Sequence, residues 1–275
     1  IDCRFYDDDL RMGTIFLPGK SENIFIISSD ICHPGQANDS LSGAACALHV
    51  YNQMKEKKDR YYSYLFTFQP EMIGTIAYLA NNEDLIPKMQ YGMYSEMMGT
   101  PGKISMQHSL SKNTRIDTIG LEVLLDKFEE NFECKDFLDH GIMNDELILN
   151  HIGVHVPTIA INRGTFFEYH TSGDNYDLID WGLLLEGAEA MFEIANKMDN
   201  SQYTALDFEK IPPAISLANR YEAKQLKENI SKGDFIPISK FKGPIFLSKR
   251  GLYIDWRDNP ELNAVMDKIL VSMNG

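Results

Sequence analysis

The sequence predicts an α/β fold built on a layered sheet. Segments rich in branched and aromatic residues alternate with helix-patterned ones, no internal repeat interrupts them, and the candidate polar residues fall just after the predicted strands. Ile24 to Ser29, IFIISS, reads as a buried strand. A Gly- and Pro-containing polar loop, HPGQANDSLSG, follows and leads into a helix from Ser42 to Lys57. Ser40 or Ser42 is placed to cap that helix, and Ala44, Ala45, Leu48 and Tyr51 supply an apolar face. Tyr64 to Phe68 is the next strand, Met72 to Asn81 the next helix, and Tyr91 to Met97 a third strand. A fourth strand, Thr158 to Asn162, precedes FFEYHTSGDN, and an amphipathic helix runs from Trp181 to Lys197. Beyond about residue 200, polar and Pro-containing stretches surround a helical piece at 215–230, and GPIFLSKRGLY leads to a last helix at 259–273. The expected division is a catalytic domain over 1–200 and a C-terminal extension over 201–275 packed on it. Starting at Ile1 without Met, the chain reads as a trimmed piece with room for a further domain.

Composition excludes several classes. A net charge of -14 argues against a nucleic-acid partner, which selects clustered Lys and Arg. No apolar run approaches the roughly 20 residues that span a bilayer, and no secretory leader pattern opens the chain, so a soluble cytoplasmic protein with no membrane partner is expected. Cys3, Cys32, Cys46 and Cys134 are scattered without CxxC spacing, which predicts reduced, structural thiols.

The chemistry-bearing residues cluster by position. In open sheets, ligands bind beyond the carboxyl ends of the strands, and His33, Asp39, Glu71, Glu96 and His170 all follow such ends. Imidazole nitrogens and carboxylate oxygens converging from several strand ends are what a metal-assisted hydrolase requires. Asp39 can bridge two cations, and Asn38 beside it is a candidate to orient the carboxylate. Tyr169 is a candidate oxyanion donor and Arg163 a candidate clamp for a substrate carboxylate. His49, His108, His140, His151 and His155 show no ligand spacing.

The set ICHPGQANDSLSG, FQPEMIGTIAYL, YSEMMG, NDE and EYHTSGDNYDLI resembles the co-catalytic zinc aminopeptidases, the group of bacterial leucyl aminopeptidases and glutamate carboxypeptidase. More narrowly it resembles the aminopeptidase-like proteins encoded beside polysaccharide-biosynthesis genes. The resemblance spans Ile1 to Lys197. It implies a three-layer α/β/α sandwich with a mixed, mostly parallel central sheet. It also implies one or two zinc ions held by His33, a bridging Asp39, Glu71, Glu96 and His170. One departure stands out: Pro70-Glu71 replaces the two adjacent glutamates of the wider family. Either Glu71 binds metal and the base is another acid, with Glu168, Asp145 and Glu146 as substitutes, or Glu71 is the base of a one-ion site. The expected activity is hydrolysis of an amide bond in a small peptide, with an amide of a sugar precursor as the close alternative. A catalytically weak metal-binding protein of the same fold is the rival reading, and a homo-oligomer is open.

Overall fold

The structure is a computed structural model that describes residues 7–137, 144–151, 153–164 and 166–201. The expected extension and its two helices lie outside the described residues, as do Cys3 and His140. Among the described residues, seven strands form one mixed sheet: β1 (Gly13–Leu17), β2 (Ile24–Asp30), β3 (Ser63–Gln69), β4 (Met89–Ser95), β5 (Ile104–Gln107), β6 (Phe132–Lys135) and β7 (Thr158–Asn162). Their spatial order is β1-β3-β2-β4-β7-β5-β6. The pairs β3/β2, β2/β4, β4/β7 and β5/β6 are parallel, while β1/β3 and β5/β7 are antiparallel.

Among the described residues, five α-helices flank the sheet: α1 (Gly43–Glu56), α2 (Ile73–Asn81), α3 (Arg115–Phe128), α4 (Asp145–Asn150) and α5 (Trp181–Asn200). β2 shows why its apolar run is unbroken. Phe25 and Ile27 join a core with Val50 and Met54 of α1, Leu124 of α3 and Met191 and Ile194 of α5. Ile24 and Ile26, on the opposite face, join a second core with Leu79 of α2 and Ile148 and Leu149 of α4. Side chains alternate along a strand, so helices on both sides demand apolar residues at successive positions. The three-layer α/β/α sandwich is therefore as expected, and fully burying each such side chain contributes about 1.5–3 kcal/mol.

Some local expectations are corrected. Helix α1 packs Ala44 and Tyr51 on the core as expected, but Ala45 and Leu48 face outward and Cys46, Ala47, Val50 and Met54 are buried in their stead. Its apolar stripe is thus rotated from the one read in the sequence, because the helix must lie over β2 and against α5. Neither serine caps it. Ser40 Oγ instead donates to Asp30, and Ser42 Oγ donates to the Asn38 carbonyl (2.6 Å) while accepting from Met98 N–H (2.8 Å). Gly43 is required there, because a Cβ would sit 2.1 Å from the Ser95 carbonyl oxygen. Where capping does occur, Asp180 accepts from Gly182 and Leu183 N–H at the start of α5, and Thr114 forms a capping box with Asp117 at α3. No described helix is long and apolar enough to cross a membrane.

Candidate metal centre

The strands β3, β2, β4 and β7 are consecutive neighbours and run parallel, so their carboxyl ends share one edge of the sheet. The loops leaving those four ends carry Glu71, His33 with Asp39, Glu96 and His170 respectively. This placement brings the two imidazoles together although they are far apart in the chain: the rings of His33 and His170 lie 5.2 Å apart, nearly parallel.

Asp39 sits between them. Its Oδ2 is 3.1 Å from His170 Nε2, and its Oδ1 is 3.7 Å from His33 Nδ1. Oδ2 is buried and accepts no aligned hydrogen bond, so the 3.1 Å contact leaves two donor atoms facing a common point. A tetrahedral zinc ion with bonds of about 2.0–2.2 Å separates a ligand nitrogen from a ligand oxygen by about 3.3 Å. The chemistry of the set fits as well. Burial raises the Asp39 carboxyl, and His33 opposes that rise. Burial, then Asp30, pushes Glu71 up to about 6, and burial followed by Asp30 and Asp39 holds Glu96 well above the usual carboxylate range. Carboxylates that oppose one another's ionisation in one pocket gain from a cation. His33, Asp39 and His170 fit a divalent ion, with a second group of Asp30, Cys32, His33 and Glu71 adjoining.

The outlying candidates fall in different places. Glu96 is buried, accepting from Asn144 Nδ2 (2.8 Å) and from the Tyr94 hydroxyl (3.2 Å), and it lies outside both groups. Tyr169 stacks on His170 with ring centres 3.8 Å apart, and burial followed by Asp39 pushes its phenol up to about 12. Arg163 does not face the site. It is buried beneath the loop, bonding Glu186 (2.8 Å) and the carbonyls of Gly102 and Leu183, so it cannot clamp a substrate carboxylate. Asn38 is committed to Gly99 N–H (2.8 Å) and Thr100 Oγ1 (3.1 Å), binding two loops together in place of orienting Asp39 directly.

Two of the three proposed substitute acids are likewise engaged. Asp145 accepts from Ser28 Oγ (2.6 Å), Gln69 Nε2 (2.5 Å) and Met72 N–H (2.8 Å), which fixes the turn that carries Glu71. Glu146 accepts from Asn144 N–H and Gln107 Nε2, and burial pushes it up to about 8. Glu168 is half-buried, its side chain against Gly173.

Sequence reasoning missed two residues. Asp30, the fully buried last residue of β2, accepts from Ser40 Oγ and from the Tyr94 hydroxyl (2.5 Å) and lies 3.5 Å from His33 Nδ1. An acid closing an otherwise buried apolar strand was the available signal. Asp174 accepts the backbone N–H groups of Ala37 (3.1 Å), Asn38 (2.7 Å) and Asp39 (3.0 Å), locking the His170 loop to the Asp39 loop. It lies within the EYHTSGDNYDLI motif, but nothing local shows its role as a clamp, since its partners lie far earlier in the chain. Cys32 is half-buried beside His33, and burial pushes its thiol up to about 11.

Residues 4–201 match a family described as a domain of unknown function (DUF4910). A Clostridium acetobutylicum protein provisionally named as a polysaccharide biosynthesis protein with an aminopeptidase-like domain is 28% identical over 204 residues, 74% of this chain and 46% of the relative. The chain thus spans about half the length of the curated relative it matches. The crystal structure of a protein from Clostridium acetobutylicum, provisionally assigned as a peptidase, is similar with a TM-score of 0.64 and 27% identity, covering 69% of this chain and 44% of that one. A zinc aminopeptidase from Bacillus subtilis shares the fold at a TM-score of 0.56 and 13% identity, over 68% of this chain and 49% of that one. So does glutaminyl cyclase from Porphyromonas gingivalis, at 0.58 and 15%, over 69% of this chain and 77% of that one.

Proposed function

We propose, from the premise that the chain belongs to the DUF4910 family and has an aminopeptidase-like fold, that it is a metal-dependent hydrolase of amide bonds. The observation that carries this reading is the buried Asp39 carboxylate, whose unpartnered Oδ2 faces His170 while Oδ1 faces His33. His33, Asp39 and His170 would hold zinc, with Asp39 placed to bridge if a second ion binds. A zinc ion bound there would polarise the scissile carbonyl and acidify a water molecule.

The chain's own groups divide the remaining work. Glu71, half-buried and raised to about 6, accepts a proton from the attacking water and returns it to the leaving amine; a positioned base of this kind is worth about 10² to 10⁴ in rate. Asp145 keeps Glu71 in place by holding Met72 N–H. Tyr169, stacked on His170, offers its hydroxyl to the developing oxyanion. Glu96 with Asn144 and Tyr94 supports Asp30 from below. The Clostridium relative's name favours a sugar-linked amide as a second substrate class beside short peptides.

The test is metal content by elemental analysis together with turnover of aminoacyl chromogenic and N-acyl sugar substrates. Zinc-dependent turnover that falls roughly 10²-fold or more in Glu71→Gln, with metal content retained, supports the enzyme. Tight zinc binding with no turnover on either class leaves a metal-binding protein and defeats the catalytic reading.

A further inference from the structure

We propose that Cys32 is a thiolate ligand to the cation on the His33 side of Asp39, an inference that rests on the metal-centre reading above. Cys32 Sγ lies 3.7 Å from His33 Nδ1 and 3.8 Å from Asp30 Oδ2, and those two atoms are 3.5 Å apart. Around tetrahedral zinc, with Zn–S about 2.3 Å and Zn–N or Zn–O about 2.0–2.2 Å, the corresponding edges are about 3.6, 3.6 and 3.4 Å. The three donor atoms therefore already stand on one face of a coordination tetrahedron.

Two further observations point to the same place. Asp39, 2% exposed, turns Oδ1, which accepts from Ser40 Oγ (3.1 Å), to within 3.7 Å of that same His33 Nδ1, so a further buried carboxylate oxygen adjoins the triangle while the unpartnered Oδ2 of the same group faces His170. The Glu71 backbone N–H donates to Cys32 Sγ at 3.3 Å, the kind of outer contact that stabilises a coordinated anion. Glu71 is the lone acid in the turn after β3, and a thiolate that supplies the anionic donor frees its carboxylate to carry a proton.

The reaction on loading is balanced without a redox partner: the S–H bond of Cys32 breaks, an S–metal bond forms, and the proton leaves to solvent. Soft thiolate donation selects zinc, cobalt or cadmium over manganese and magnesium. His33, Asp39 and His170 alone carry no such preference for soft ions.

Cobalt(II) titration of the apo-protein tests the proposal. Wild type is expected to show visible d–d bands and an intense near-ultraviolet sulfur-to-cobalt band, which persists in Cys134→Ser. Cys32→Ser is expected to lose the near-ultraviolet band and to bind zinc roughly tenfold or more weakly, a loss at least that of an outer-shell partner. Cobalt bound with d–d bands and no sulfur band in wild type overturns this inference while the metal centre stands. Failure of wild type to bind cobalt or zinc overturns the metal centre itself. Cys46 is fully buried on the Leu184 carbonyl, so a sulfur band that persists in a Cys3→Ser/Cys134→Ser double variant decides for Cys32, and its loss there decides against it, even if Cys32→Ser does not fold.

Discussion

Replacing Asp174 with Asn tests whether the site is built by a clamp between two loops. The carboxylate accepts two N–H groups on Oδ1, from Ala37 and Asn38, and one on Oδ2, from Asp39. An amide keeps one oxygen and presents an NH₂ group to the third N–H, so at least one bond becomes a repulsion and the other two lose their charge assistance. Hydrogen bonds to charged groups contribute about 1.5–3 kcal/mol each, so a total loss of roughly 3 kcal/mol is expected. For a domain of this size, that corresponds to a fall in Tm of roughly 6–12 °C. Because Asp39 is the residue displaced, zinc affinity should fall about 10–100-fold. Thermal denaturation followed by circular dichroism gives the first quantity, and competition with a chromogenic chelator gives the second. An Asp174→Asn protein with wild-type Tm and zinc affinity would refute the clamp.

Other consequences are open to measurement. Gly43→Ala places a methyl against the Ser95 carbonyl, pushing α1 off the end of β4, and should cost about 1–3 kcal/mol in urea denaturation; a change below about 0.5 kcal/mol would mean the contact relaxes freely. His108 is buried, which lowers its pKa, but its bonds to Asp117 and Cys134 more than offset this and raise it to about 10. A raised imidazole favours the fold most below its unfolded pKa of about 6.5, and that stabilisation is lost as pH climbs through about 10. His108→Asn should therefore be less stable than wild type at pH 6 and nearly equal to it at pH 10.5, as read by urea midpoints. An equal deficit at both values would sever the link to protonation.

Much of this arrangement is legible in the chain before folding. The IFIISS run declares a strand covered on both faces, and β7 lies where Thr158 to Asn162 was read. His33, Asp39, Glu71 and His170 stand out because each is a ligand-type residue just past an apolar segment. The strands β1 and β6 lie at the flanks of the sheet, where mixed burial leaves no long apolar run to read, and β5, though buried, is four residues long with Ser105 and Gln107 alternating with Ile104 and Met106. The true stripe of α1 depends on which side meets α5, a contact that no local periodicity encodes. Arg163 was misread because a guanidinium is usually exposed, and its burial depends on Glu186 and two carbonyls supplied by other segments. The clamping role of Asp174, though not its place in the EYHTSGDNYDLI motif, was hidden for a related reason: it is defined entirely by backbone groups of residues 37–39.

The strand order has a consequence for how such a protein can diversify. All four loops that build the pocket issue from the middle of the sheet, whereas β1 and β6 close its two flanks at a remove from it. Added segments at either flank can lengthen the molecule, widen its surface or recruit other chains without shifting an imidazole. Changes in the central turns have no such freedom, since each turn is braced by a neighbour from a distant part of the chain. Growth is cheap at the margins and tightly constrained at the heart.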